Sequence, residues 1–145
     1  APRVRATALG VEDFLADMGA LPDPAFLDHF ALRVVSAART AEVSPLGVPE
    51  SLANLTDIER FADAARRARS YGFEGGFAVH PRQVEALNAG SAPTEAEVAE
   101  ARKIIEASER SDADGIGAFQ MDGRMIDLPI VLGAKRLPER AGGRV

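Results

Sequence analysis

Three short stretches of this chain carry side chains suited to chemistry. The first is Ala8-Leu9-Gly10-Val11-Glu12-Asp13-Phe14, where an apolar run ends at a glycine and a carboxylate follows three residues on. In an α/β chain this places Asp13 just past the carboxyl end of a strand, where such folds gather their functional groups. Gly10 lets the backbone turn tightly and approach a ligand closely. Backbone N–H groups from Gly10 to Asp13, at the start of the next turn, can hold an anion. Asp13 itself suits a hard cation such as Mg²⁺, which takes one or two carboxylates with waters and substrate oxygens. Read bare, without any resemblance, Asp13 is the cap of a helix over 14–18. The second stretch is Asp127-Leu128-Pro129, whose bare reading is a helix cap before a proline-initiated helix. The third is His80-Pro81, where His80 either touches a ligand or packs beneath a loop.

The elements that must position these groups follow from hydrophobic spacing. A strand is expected over 4–9. Asp23 and Pro24 then form a cap and a first helical position, opening a helix over 24–41 with Leu27, Phe30, Ala31, Val34, Val35 and Ala38 on its buried stripe. His29 lies off that stripe and reads as a surface histidine. A short strand is expected within 43–48. Thr56-Asp57-Ile58-Glu59 reads as a capping box for a helix over 57–70, stopped by Gly72 in a left-handed conformation. The next strand is expected over 73–79, followed by a short helix from Pro81 that buries Val84 and Leu87. This alternation indicates parallel βα units.

After Asn88 the style changes. Ala92-Pro93 breaks the chain, Thr94 to Glu97 is a second capping box, and a charged helix over 95–109 follows. A hairpin over 116–126 turns at Asp122-Gly123, and a final helix opens at Pro129. The expected organisation is therefore 1–90, carrying the βα units, and 91–145, an appended segment.

Composition removes several function classes. The net charge of −5 argues against a nucleic-acid surface. Zero cysteines exclude a disulfide scaffold, a zinc-thiolate site and a thiol nucleophile, and fit a cytoplasmic location. No apolar run approaches the ~18 residues that span a bilayer, so no membrane role is expected. Three βα units are too few to close a barrel, and an open three-stranded parallel sheet leaves an edge unpaired and a face uncovered. The chain also begins at Ala and leads straight into a strand, so further chain is expected upstream.

Four segments in order carry a resemblance: Ala8-Leu9-Gly10-Val11-Glu12-Asp13-Phe14-Leu15-Ala16-Asp17-Met18-Gly19, Gly76-Phe77-Ala78-Val79-His80-Pro81-Arg82-Gln83-Val84, Ser91-Ala92-Pro93-Thr94-Glu95-Ala96-Glu97 and Met121-Asp122-Gly123-Arg124-Met125-Ile126-Asp127-Leu128-Pro129. The chain resembles the carboxyl-terminal half of the citrate lyase β-subunit-like proteins, the acyl-CoA lyase branch of the HpcH/HpaI aldolase superfamily. The resemblance implies the last three βα units of a (β/α)₈ TIM barrel and a carboxyl-terminal helix–hairpin–helix lid. It implies a Mg²⁺-dependent carbon–carbon lyase that cleaves or forms a 3-hydroxyacyl thioester such as citryl- or malyl-CoA. The partners would be acetyl-CoA, or a related acyl-CoA or acyl-carrier thioester, and a 2-keto acid.

In a matching Gly-x-x-Asp-Phe pattern, the family's aspartate is one of two metal ligands, so Asp13 takes that role. The second ligand, a glutamate on the preceding strand, would lie before Ala1. The resemblance assigns Asp127, in a Met-Ile-Asp-x-Pro pattern, as a general acid/base on a lid that reaches over a neighbouring subunit. Gly10, Val11, Glu12 and His80 are the candidate substrate-binding residues, and a homo-oligomer, trimer or hexamer, is implied. One departure stands out. Relatives often carry an aspartate within the stretch corresponding to Ser44-Pro45-Leu46-Gly47-Val48, and this chain has none. That leaves the acyl group open. A competing reading from another class is a non-catalytic partner or regulatory module that needs a separate chain to complete the barrel.

Overall fold

β1 (Ala6–Ala8) pairs in parallel with β2 (Ser44–Leu46), Ala6 opposite Ser44 and Ala8 opposite Leu46. Leu46 also forms a parallel bridge with Gly75. The computed structural model describes residues 3–113 and 118–142, and the chain falls into two units, Ala1–Ser91 and Ala92–Val145. The architecture is mixed α/β and rich in helix.

In the first unit, α1 (Val11–Met18) follows β1 directly and stops at Gly19 in the left-handed conformation. It buries Val11 and Leu15 against Leu27. α2 (Pro24–Thr40) starts where the local sequence dictates: the Asp23 carboxylate accepts from the Phe26 N–H at 2.9 Å, and Pro24 opens the helix. Phe14 of α1 meets Phe30 of α2 edge-on, with ring centroids 4.6 Å apart, and Phe26 lies 4.9 Å from Phe30. Such pairs add about 0.5–1.5 kcal/mol each beyond their burial and fix the angle of α1 on α2. α3 (Ile58–Tyr71) ends at Gly72, whose φ of 103° suits glycine. Its stripe of Phe61, Ala64, Ala65 and Ala68 is buried. α4 (Pro81–Ser91) packs on α3 so closely that a Cβ added at Gly90 would sit 2.8 Å from that of Ala65.

Several expectations are corrected. α1 begins at Val11, not 14, because Gly10 already has cap geometry and the Phe14 N–H bonds the Gly10 carbonyl at 2.9 Å. The 73–79 segment is not a regular strand. It makes two ladder bonds, Glu74 N–H to Pro45 O at 3.0 Å and Gly47 N–H to Gly75 O at 2.9 Å, and then leaves β2. Pro45 has no N–H to give back, and the Gly75-Gly76 pair gives the ladder no side chains to pack. Val84 is exposed, and Gln83 and Gly90 take the buried positions of α4 instead. The 56–59 capping box is not formed. Asn54 Oδ1 accepts from the Thr56 N–H, the Thr56 hydroxyl and the Asp57 N–H, and Asp57 becomes the cap, accepting from the Arg60 N–H at 3.0 Å.

In the second unit, α5 (Glu95–Ala113) starts with a true capping box: the Thr94 N–H donates to Glu97 Oε2 at 2.7 Å, and the Glu97 N–H donates to Thr94 Oγ1 at 3.2 Å. β3 (Phe119–Met121) and β4 (Arg124–Ile126) form an antiparallel hairpin whose turn residues, Asp122 and Gly123, both have positive φ, 50° and 76°. The expected start of the first hairpin strand, at Ile116, lies outside the described residues. α6 (Leu128–Gly142) starts one residue before Pro129. Its Val131 and Ala134 close on Ala101, Ile104 and Ile126, with Ile126 fully buried.

Candidate functional site

The first turn of α1 and the loop after β2 form a cleft of about 230 Å³. Leu9, Gly10, Val11, Glu12 and Asp13 line one side, and Gly47, Val48, Glu50, Leu52 and Phe77 line the other. Each side chain has a local reason for its place. The Val11 side chain is buried in the α1 core, so only its backbone faces a ligand. The first N–H groups of any helix lack intrahelical partners and carry the positive end of its dipole. Here those are the N–H groups of Val11, Glu12 and Asp13, and Gly10 places no capping side chain over them.

Asp13 is exposed, on the third residue of α1. It does not cap the helix, because Gly10 occupies the cap position. Its Oδ2 reaches back toward that glycine: a Cβ added at Gly10 would approach it to 3.4 Å. A methyl group at position 10 would meet the carboxylate at ordinary van der Waals distance. Phe14, the next residue, packs on α2, and a step of about 100° per helical residue turns Asp13 away from that contact.

Glu12 is not merely solvated. Its Oε1 accepts from the Ser51 hydroxyl at 2.7 Å and from the Ala53 N–H at 3.5 Å, tying α1 to the loop. Sequence reasoning missed Glu50, which is 2% exposed. Its Oε2 accepts from Arg60 Nε at 2.5 Å and its Oε1 from the Ser51 N–H at 3.0 Å. The hydrogen bond and charge of Glu50 push the Arg60 guanidinium above its ordinary pKa. Glu50 and Arg60 lie ten residues apart at no regular spacing, so no sequence pattern marks the pair. Gln83 was also missed. Fully buried, it accepts from the Val79 N–H at 3.0 Å and donates to the Leu52 carbonyl at 3.0 Å, joining the α4 start to the same loop.

His80 is not brought to this cleft. It caps α4 through its carbonyl, and its Nδ1 accepts from the Arg82 N–H at 3.2 Å, so in the neutral ring Nε2 carries the proton. It borders a separate hollow with Val79, Pro81 and Val84. Asp127, in the second unit, does what its bare reading expects of a cap: its Oδ1 accepts from the Ile130 N–H at 3.4 Å and its carbonyl from the Val131 N–H at 3.1 Å. The residue is half-buried.

Among the described residues, no three His, Cys, Asp or Glu side chains are grouped to hold a metal on their own. Asp13 presents one hard oxygen donor at the cleft beside a helix start. That fits a cation of the Mg²⁺ type, which completes its shell with waters and ligand oxygens. No helix of the described residues is long and apolar enough to cross a membrane.

No family model matches the chain. It is 34% identical over 141 residues to the citrate lyase subunit beta of Haemophilus influenzae, covering 96% of this chain and 48% of that protein. It is 31% identical over 159 residues to the L-malyl-CoA/beta-methylmalyl-CoA lyase of Rhodobacter capsulatus, covering 97% and 49%. Its fold matches the crystal structure of CitE from Mycobacterium tuberculosis in complex with magnesium, acetoacetate and coenzyme A, with a TM-score of 0.75 and 26% identity over 94% of this chain and 51% of that one. The chain thus spans about half the length of the relatives it matches.

Proposed function

We propose, from this similarity to citrate lyase β subunits and malyl-CoA lyases, that the chain is the carboxyl-terminal half of a carbon–carbon lyase. On this reading the first unit supplies the last three βα units of a (β/α)₈ barrel and the second a lid, within a homo-oligomer. The substrate is a 3-hydroxyacyl thioester, cleaved to an acyl thioester and a 2-keto acid, or formed from them. The observation that carries the reading is the cleft at the end of β1, where Gly10, the open start of α1 and the exposed Asp13 carboxylate converge.

When bound, Mg²⁺ supplies Lewis acidity toward the 2-oxygen and carboxylate of the keto acid. Asp13 would hold it, together with a second carboxylate from the rest of the protein. The N–H groups of Val11, Glu12 and Asp13 bind the keto acid's carboxylate, an electrostatic clamp that needs no nucleophile. The apolar walls at Leu9, Val48, Leu52 and Phe77 exclude water from the acyl chain. In the cleavage direction the Asp127 carboxylate takes the proton of the 3-hydroxyl, the C2–C3 bond breaks with its electron pair going to C2 as C3 becomes the keto carbon, and the Asp127 carboxyl returns that proton to C2 of the thioester enolate. It does so from a lid over a neighbouring subunit, where a mobile segment brings the acid in only once the thioester is bound.

Isothermal titration of the full-length protein with Mg²⁺ tests the reading. Binding is expected in the wild type and lost in Asp13→Asn. Undiminished binding in the mutant would remove Asp13 from the metal site.

A further inference from the structure

We infer that Glu50, clamped by Arg60, is a positioning residue: through Ser51 and Glu12 it holds the first turn of α1 and so sets the direction of the Asp13 carboxylate. The inference rests on the reading of Asp13 as the Mg²⁺ ligand and adds to it the group that fixes that ligand.

The argument begins at a weakness of α1. Its cap is Gly10, with no side chain to bond the free N–H groups, so within the helix the first turn is closed by the backbone bond from the Phe14 N–H to the Gly10 carbonyl and gains no side-chain cap. The restraint comes from outside. Glu12, immediately before Asp13 on that turn, accepts from the Ser51 hydroxyl at 2.7 Å. Ser51 is fixed in turn, since its own N–H donates to Glu50 Oε1 at 3.0 Å and its hydroxyl oxygen accepts from the Ala53 N–H at 3.2 Å.

Glu50 is the root of this chain of bonds. A carboxylate that is 2% exposed gives up its hydration, and only fixed partners offset that loss. Arg60 provides them from a braced position. Its Nε donates to Glu50 Oε2 at 2.5 Å, its Nη2 reaches the Pro22 carbonyl at 3.4 Å, and its backbone N–H is held by the Asp57 cap at 3.0 Å. The starts of α2 and α3 are thereby connected through one loop to the start of α1. Glu50 lines the same cleft as Asp13, yet both its oxygens are engaged, so its role is to hold rather than to ligate. Partners in a metal ligand's outer shell orient that ligand in this way.

The test uses the full-length protein. Mg²⁺ titration and thermal unfolding are measured for the wild type, Glu50→Gln, Ser51→Ala, Ser51→Thr and Asp13→Asn. Glu50→Gln keeps the size and an acceptor for the Ser51 N–H but removes the charge that Arg60 holds. Ser51→Ala removes a single hydroxyl and leaves the buried pair intact, so it reports even where Glu50→Gln does not fold. The Mg²⁺ Kd is expected to rise about tenfold in both, the low end for outer-shell partners, and to return to within about twofold of wild type in Ser51→Thr, which keeps the hydroxyl. A lowered Tm with an unchanged Kd in the folded variants would show a purely structural role and overturn the inference. So would unchanged Kd values in Glu50→Gln and Ser51→Ala beside lost binding in Asp13→Asn, an outcome that leaves the metal reading standing. If Asp13→Asn binds Mg²⁺ as the wild type does, the metal reading falls, and the inference falls with it.

Discussion

A methyl group added at Gly90 and one added at Gly133 should change stability in opposite directions, although both glycines lie in helices. On α6, a Cβ at Gly133 meets nothing within 4 Å. Gly133→Ala therefore acts mainly by reducing the freedom of the unfolded chain, and should stabilise by about 0.5–1 kcal/mol. The same gain applies to Gly90 on α4, but the added methyl lands on α3. It would sit 2.8 Å from Ala65 Cβ, 3.2 Å from the Arg66 nitrogen and 3.3 Å from the Ala65 carbonyl carbon. None of these atoms is the end of a flexible side chain, and Ala65 is fully buried, so relief requires the two helices to separate. Overpacking of this kind costs about 1–3 kcal/mol. Set against the gain, Gly90→Ala should destabilise by up to about 2.5 kcal/mol, and by about 1 kcal/mol at the middle of both ranges. For a chain of this size, that lowers Tm by about 3 °C per kcal/mol. Denaturant and thermal unfolding of both variants measure the difference. A Gly90→Ala protein that melts at or above the wild-type Tm would show that the α3–α4 contact is loose enough to absorb a methyl group, and would refute the reasoning.

Asp127→Asn should keep the α6 cap, since asparagine also accepts from the Ile130 N–H, while kcat falls about 10²–10⁴-fold, the worth of a general acid/base. Steady-state kinetics beside a melting curve check this, and a kcat near wild type would confine Asp127 to capping. Tyr71 should titrate above the ordinary 10.0, because loss of solvent, followed by its hydrogen bond with Asp28, favours the neutral phenol. A folded-state pKa raised above the unfolded one contributes stability that is fully present below the unfolded value and lost as pH rises through the folded value. The phenolate absorbance difference between wild type and Tyr71→Phe reads that midpoint, and a value at or below 10.0 would contradict it.

The features legible in the sequence are those decided within a few residues. Asp23 with Pro24, Thr94 with Glu97, Gly72 and Asp122-Gly123 each carry their own geometry, and each forms as expected. The 56–59 box failed for an equally local reason: Asn54, two residues upstream of Thr56, competes for the threonine hydroxyl and leaves capping to Asp57. The 73–79 segment could not be read this way, because strand formation depends on what lies alongside. Phe77 and Val79 are apolar in composition yet 51% and 64% exposed. Of the candidate site, Gly10, Val11, Glu12 and Asp13 were visible because a glycine, a helix start and a carboxylate fall in one stretch. Glu50 was not, since its burial and its distant arginine exist only in the fold.

Gly76 extends the reach of the cleft beyond its walls. A Cβ there would lie 3.0 Å from Val48 Cγ2 and 3.3 Å from the Gly47 backbone, so a side chain at 76 would make the segment carrying Phe77 and the loop give by a few tenths of an ångström. For directed evolution this makes residue 76 a remote dial. If the proposed function holds, a library selected for altered acyl preference should recover changes at 76 among its hits, acting through the contacts with Val48 and Gly47. Saturating only the residues that line the cleft would leave that route to new specificity unsampled.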